Sequence, residues 1–307
     1  MATARTIKKR IRSTKNIKQI TKAMQAVAAV KMRRSEEVAL RARPFAAAAL
    51  HILTSVTHGG GEDSEHSPLL RKREVKKACL VIITSDKGLA GSFNTNVLRA
   101  GDSFLMSSKV PTDIVAVGKK ALEYYRRRGR KIAGDFQHIG DSVDVSETKP
   151  ISLLLSELFT SGVYDSITLI YTNFDSALKQ TVIRRPLLPF TRESLEGIVA
   201  GISPSSGKYS KQEPTENTLS VSYLFEPSPK QVLNELLPIL LDIEIYHAVL
   251  EANASEHSSR MVAMKNASEN AGDLIDTLTV AYNKSRQAQI TRELSEITAG
   301  TEALTAV

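Results

Sequence analysis

The chain has little of what most enzymes and membrane spans are built from. A single cysteine, Cys79, stands in 307 residues, which excludes an intrachain disulfide and leaves clustered-thiolate metal sites without ligands. Tryptophan is absent and aromatics make up 5% of the chain, low for a large compact core. No run of about 18 apolar residues offers a membrane-spanning helix. The histidines His51, His58, His66, His138, His247 and His257 form no i, i+4 pair that would hold a metal on one helix face. No serine sits in a nucleophile-elbow pattern, and no Cys/His pairing follows from spacing. These absences count against an enzyme acting alone, and the cysteine usage reads as intracellular.

Acidic residues are also nearly missing from the start of the chain. From Met1 to Arg43 there are 13 Lys/Arg against Glu36 and Glu37, a net +11, whereas the total is +8, which leaves −3 for the remainder. The basic character therefore belongs to the first arm. It serves either as a solvated helix face or as a surface for an anionic partner: nucleic acid, anionic lipid or an acidic protein. The Arg-rich start is superficially like an organellar transit peptide but runs unbroken into the helical pattern, so it reads as mature sequence.

What the chain has in abundance is long-helix sequence at both extremities. In the first arm, Ile7, Ile11, Thr14, Ile17, Ile20, Met24 and Val27, then Val38, Ala42, Phe45, Ala49, Leu53 and Val56, recur at spacings of three and four. This predicts one stripe, with Lys8, Lys15, Lys18, Lys22 and Arg33 elsewhere. Pro44 predicts a bend. Gly59, Gly60 and Gly61 end the arm. The second arm starts at Ser228-Pro229-Lys230-Gln231, a capping-box pattern with proline at the first helical position. It continues to about Ala303, with a kink expected at Pro238. Residues 252–259 are all small or polar and predict close approach to the Ala-rich part of the first arm. The two arms predict an antiparallel two-helix coiled coil, a rod more suited to mechanics than to catalysis.

Between the arms, short β-branched runs at Ala78–Thr84, Asp113–Val117, Ser166–Tyr171 and Thr181–Leu187 alternate with helical patterns at Lys119–Arg128 and Ile151–Thr160. The alternation predicts a small, largely parallel, Rossmann-like α/β domain. The expected division is residues 1–58 as the N-terminal coiled-coil helix, 75–191 as the α/β domain, 192–218 as a flexible polar excursion, and 228–304 as the C-terminal coiled-coil helix. An extended piece is expected over Leu219–Phe225.

Two motifs carry candidate chemistry. Asp86-Lys-Gly-Leu-Ala-Gly91 follows a strand and precedes a helix, the setting of phosphate-cradling loops. Its two glycines make neither a dinucleotide fingerprint nor a Walker motif, so a structural turn is favoured, with Asp86 and Lys87 as surface or capping residues. The segment Asn283–Glu296 is the densest polar cluster; it reads either as a solvated helix end with i, i+4 pairs or as a contact surface.

The strings RIRSTKNIKQITKAMQAVAAVKMRR, ITSDKGLAGSFNTN and RMVAMKNASENAGDLIDTLTVAYNKSRQAQITRELSEITAGTEAL, in this order, resemble the gamma subunit family of the bacterial F-type ATP synthases. The chain departs from the family pattern at Ala90, where Cys is common, and at Thr301, where Ala or Ser is usual. A redox-regulated form would need a second cysteine in the middle domain. The resemblance implies a non-catalytic rotor shaft whose coiled coil passes through a ring of alpha and beta subunits, while the α/β domain and lower rod meet the epsilon subunit and the membrane c-ring. It implies Arg286, Gln287, Thr291 and Glu293 as a polar track touching the beta subunits, with Met24 close to that track and Arg260 lower on the second arm. No catalytic residue, cofactor or metal is implied. The place implied is the cytoplasmic face of the bacterial plasma membrane, held through the complex. A nucleic-acid-binding coiled coil is the competing class; no aromatic interleaves the basic stretch before Phe45, so base stacking has no support. A nucleotide-dependent enzyme lacks both fingerprint and catalytic cluster.

Overall fold

The computed structural model describes the backbone of residues 4–59, 67–140, 143–191 and 228–305, and the side chains of these ranges except 39–59, 229–230, 233, 300 and 302–305. The expected excursion over 192–218, the extended piece over 219–225 and the glycines beyond Gly59 lie outside the described residues. The elements are α1 (Ala4–Gly59), β1 (Ala78–Ile83), α2 (Phe93–Ser107), β2 (Thr112–Val117), α3 (Lys119–Arg127), β3 (Ile132–Phe136), α4 (Val145–Thr160), β4 (Ser166–Phe174), β5 (Gln180–Leu188) and α5 (Pro229–Thr305). They form two compact units, one of Met1–Ala28 with Met261–Val307 and one of Ala29–Arg260.

In the larger unit the sheet order is β3-β2-β1-β4-β5. β1 pairs in parallel with β2 and β4, β2 in parallel with β3, and β5 antiparallel with β4. The antiparallel edge follows from the short link at residues 175–179, since a parallel return needs a crossover of about a dozen residues or more. All six side chains of β1 are buried, because helices cover both faces. Val81 and Ile83 share one core with Ile151, Leu155 and Phe159 of α4 and with Leu240, Ile245 and Val249 of α5. Leu80 and Ile82 share the other with Val97 of α2 and Leu122 and Tyr125 of α3. Strand β3 has no counterpart in the sequence reading. Its Ile-Ala-Gly-Asp-Phe is only half-buried at the sheet edge, so it lacks the apolar run that marks an inner strand.

Helix α5 crosses this unit in the direction of β1. Its Asp242 accepts from Ser152 in the middle of α4, Tyr246 Oη donates to Val143 O at 3.2 Å, and Asn253 Nδ2 donates to Gly140 O at 3.1 Å. The partners thus move towards the C-terminal edge of the parallel strands. At the helix start the hydroxyl of Ser228 accepts the Gln231 N–H at 3.3 Å, half of the expected capping box. Pro44 and Pro238 both lie within continuous helix. The small residues of 252–259 have a specific use: Ser255 Oγ donates to Thr172 O at 3.2 Å and Ser258 Oγ to Ala177 O at 2.5 Å. This stretch is seated on β4 and the turn after it.

The smaller unit is a two-helix seam of heptad spacing. On α1, Ile7, Thr14, Thr21 and Ala28 are buried, every seventh residue, with Ile11, Met24 and Gln25 half-buried. On α5, Met264, Ser268 and Ala271 are buried, and half-buried Ile275, Leu278, Tyr282 and Ser285 continue the alternation of four and three. A Cβ on Gly272 would lie 2.9 Å from Lys18 Nζ. Lys18 precedes Ala28 by about as many residues as Gly272 follows Met261, so the helices run antiparallel, the coiled coil expected of the arms.

The expected stripe is corrected in one respect. Ile17, Ile20 and Val27 are 50%, 59% and 55% exposed, while threonine, alanine and serine fill the seam and Lys18 lies over it. Small residues let two backbones approach, and a single helix–helix contact has no room for every isoleucine. The buried hydroxyls are satisfied within their own helix, Thr14 Oγ1 on Arg10 O at 2.9 Å and Thr21 Oγ1 on Ile17 O at 3.0 Å.

Candidate functional site

The glycine loop after β1 is built as a keystone. Asp86 accepts the Lys119 N–H and the His138 N–H, each at 2.8 Å, tying the loops that follow β1, β2 and β3. The first-turn donors of α3 find protein acceptors: Lys119 N on Asp86, Lys120 N on Ser85 O at 3.1 Å and Ala121 N on Thr84 Oγ1 at 2.9 Å. Asp86 thus caps α3 and fixes the turn after β1, the capping role expected of it. Gly118 has φ +90, and a Cβ there would meet Thr84 O at 2.1 Å, so only glycine fits. A cavity of about 210 Å³ adjoins the loop, lined by Ser85, Asp86, Gly118, His138, Asn253 and Glu256 among others. Among the described residues no group of His, Cys, Asp and Glu could hold a metal.

Arg260 belongs to this keystone. It is 8% exposed, pairs with the Glu256 carboxylate, donates to Gly88 O from Nε at 3.4 Å and Nη2 at 3.3 Å, and sits 3.2 Å from His257 Nδ1. Its guanidinium ties α5 to the glycine loop and to Glu256. The burial of so long a cation carried no signal in the sequence.

At the other end of α5, Arg286, Gln287, Thr291 and Glu293 are all exposed. Glu293 Oε1 accepts from Gln289 Nε2 at 3.0 Å, an i, i+4 bond that pre-orients the carboxylate. Met24 is half-buried on α1 and stands apart from this group. With Lys18 opposite Gly272, Met24 faces the neighbourhood of residue 266, roughly 30 Å along the axis from Arg286 at about 1.5 Å per residue. The expected closeness of Met24 to the polar track is thereby corrected; antiparallel register, invisible in either arm alone, decides it.

Around the described polar clusters, charge is held by ordinary ion pairing. At the opposite, N-terminal edge of the sheet, Asp113 accepts from Tyr164 Oη at 2.7 Å and pairs with Lys77 at 3.0 Å and Lys131 at 3.3 Å. Burial works against its ionisation, but these three donors hold its carboxyl below the usual value. The Cys79 thiol is pushed up to about 12 by burial and by Asp113, which makes it an inert core residue.

A two-helix unit, an α/β unit inserted between its two helices in sequence, and an exposed polar track define a coiled-coil protein built for contact with other chains. The whole chain matches the family model described as ATP synthase over residues 3–304. The ATP synthase gamma chain of Pelotomaculum thermopropionicum is 39% identical over 304 residues, covering 99% of this chain and all of that one; that of Heliobacterium modesticaldum is 40% identical over 301 residues, 98% of each. The chain belongs to the ATP synthase gamma chain family. Among solved structures, the central stalk and c-ring of Tetrahymena thermophila mitochondrial ATP synthase matches with TM-score 0.60 and 27% identity, covering 81% of this chain and 99% of that one. The Euglena gracilis mitochondrial enzyme in rotational state 3 matches in fold, with TM-score 0.64 and 19% identity over 99% of this chain and 95% of that one.

Proposed function

We propose that the chain is the central rotor shaft of an F-type ATP synthase, coupling rotation of a c-ring to the conformational cycle of catalytic beta subunits. Full-length similarity to gamma chains supports the reading. The observation that carries it is the two-helix unit itself: Ile17, Ile20, Val27, Leu274, Ile290, Leu294 and Ile297 are large apolar side chains left exposed on both helices. A pair of helices presenting this much apolar surface is suited to enclosure by other subunits. A lopsided shaft presents a different face to each beta subunit in turn and biases its state by differential contact. The chain itself is non-catalytic, and it regulates hydrolysis and proton flow through that coupling.

Its partners are the alpha and beta subunits, an epsilon subunit and the c-ring, with no nucleic acid. No described helix is long and apolar enough to cross a membrane. Attachment to the cytoplasmic face of a bacterial plasma membrane is made through the complex. Arg286, Gln287, Thr291 and Glu293 form the track that touches beta-subunit loops. Met24 makes a separate contact further along α1, and Arg260 acts through the loop it braces. The basic first arm suits acidic beta-subunit loops.

Reassembly of the chain with alpha and beta subunits tests this. Gln287→Leu, which leaves facing polar groups unpaired, is expected to slow ATP hydrolysis without preventing assembly; normal turnover would count against the track. Met24→Lys is expected to lower proton pumping per ATP hydrolysed, and unchanged pumping would remove Met24 from the contact set. Failure to co-assemble with the alpha and beta subunits at all would refute the rotor reading.

A further inference from the structure

Within the larger unit, α5 is held by two kinds of contact in succession. Leu237, Leu241, Ile245, Ala248 and Val249 belong to the apolar core, and Ala252 is the last residue of α5 in it. Burial continues past that point with polar side chains, since Ser255, Ser258 and Arg260 are buried as well. A buried serine contributes little apolar area, so what holds residues 255–260 is the hydrogen bonds that they make. Ser255 donates to Thr172 O on β4 and Arg260 to Gly88 O. Ser258 and Ser259 are tied to the turn that follows β4.

That turn, residues 175–179, is braced from within. Asp175 accepts from Asn173 Nδ2 at 2.7 Å and from Thr181 Oγ1 at 2.6 Å. Ser176 and Lys179 exchange backbone bonds, the Ser176 N–H donating at 2.9 Å and the Lys179 N–H at 3.2 Å. Gln180, the first residue of β5, joins the braced turn to the helix. Its Nε2 donates towards Ser176 O, Ala177 O and Ser258 Oγ, each at 3.2 Å. Its Oε1 accepts from Ser259 Oγ at 3.1 Å, while Ser258 Oγ gives its own proton to Ala177 O. One side-chain amide thus serves two turn carbonyls and two helix hydroxyls together, because it carries donors and an acceptor without charge.

We propose that Gln180 is a positioning residue for torque transmission, clamping residues 255–260 of α5 to the turn after β4 where the apolar core no longer grips the helix. Its bonds point sideways from the helix, so they oppose turning and peeling of that stretch under load. The torque role rests on the rotor reading, whereas the clamp itself is tested on the chain alone. Hydrogen–deuterium exchange of the full chain, with no other subunit present, reads how often residues 255–260 open independently of the core.

Gln180→Met keeps the length of the side chain and removes its amide. It is expected to speed exchange over 255–260 by about 25-fold, at about five-fold for each of the two bonds lost to the helix, and to leave the amides of β1 unchanged. Ser259→Ala is expected to speed it by about five-fold, and Ser259→Thr, which keeps the hydroxyl, by less than about two-fold. In vesicles carrying the whole complex, Gln180→Met is expected to leave unloaded ATP hydrolysis unchanged and to lower the largest proton gradient that hydrolysis sustains, with Ser259→Thr matching the unaltered chain. If Gln180→Met loses its fold, Ser259→Ala carries both measurements. Unchanged exchange over 255–260, an equal rise in β1, no rescue by threonine or an unaltered limiting gradient would overturn the proposal. Failure of the unaltered chain to assemble would refute the rotor reading, and the torque role with it, whatever the exchange shows.

Discussion

The two compact units are held together by opposite means. The α/β unit fills its interior with large side chains, Phe159, Tyr171, Tyr125, Leu80 and Ile114 all fully buried, and covers both faces of its sheet. The two-helix unit buries threonine, serine and alanine beside Ile7 and Met264, and leaves Ile17, Ile20, Val27, Leu294 and Ile297 outside. The first is a self-sufficient core; the second keeps its apolar surface for another chain. Stability and partner contact are thus assigned to different residues in different parts of the molecule, and mutations should separate them.

The largest effect should come from the α/β core. Phe159→Ala is expected to destabilise by about 3–5 kcal/mol, measured as a shift of the denaturant midpoint of the full chain. Ala271→Leu places a large residue where the seam has room for a methyl group and is expected to cost about 1–3 kcal/mol, with loss of helicity on earlier heating. An equal cost for both substitutions would erase the contrast. The acid response sharpens it further. The carboxyl of Asp113 titrates below its usual range in the folded state, so the stabilisation is present above the unfolded value and lost as pH falls through the folded one, below about pH 4. Asp113→Asn should flatten that slope in acid titration of the α/β unit. Smallest of all, Ile20→Ala and Val27→Ala should change stability by no more than about 0.5 kcal/mol while weakening assembly with alpha and beta subunits; a large loss of stability would mean these side chains are buried in the free chain after all.

The sequence made the inner strands legible because a strand covered on both faces must be apolar throughout, as Ala78–Ile83 is. Strand β3 escaped because half-buried edge residues carry no such pattern. The antiparallel turn of β5 was implicit in the shortness of the preceding link, which a search for alternating strand and helix passes over. In the arms, periodicity located the helices and put Ile7, Ile11, Thr14 and Met24 on the seam, but drew the stripe too wide. The reading followed hydrophobicity to include Ile17, Ile20 and Val27, whereas closeness of approach selected Thr21 and Ala28 beside Thr14. Of the polar site, the exposed cluster on α5 was visible in composition. The burial of Arg260 against Gly88 and the separation of Met24 from Arg286 depend on register between distant segments, which neither segment encodes alone.

The hydroxyls of Thr14 and Thr21 bond to carbonyls of their own helix. Separating the pair at those levels therefore strands no buried donor, and what holds it there is packing and the burial of apolar surface. At those two levels the threonines give the pair shape and no hydrogen bond across it, so fit alone sets the register there.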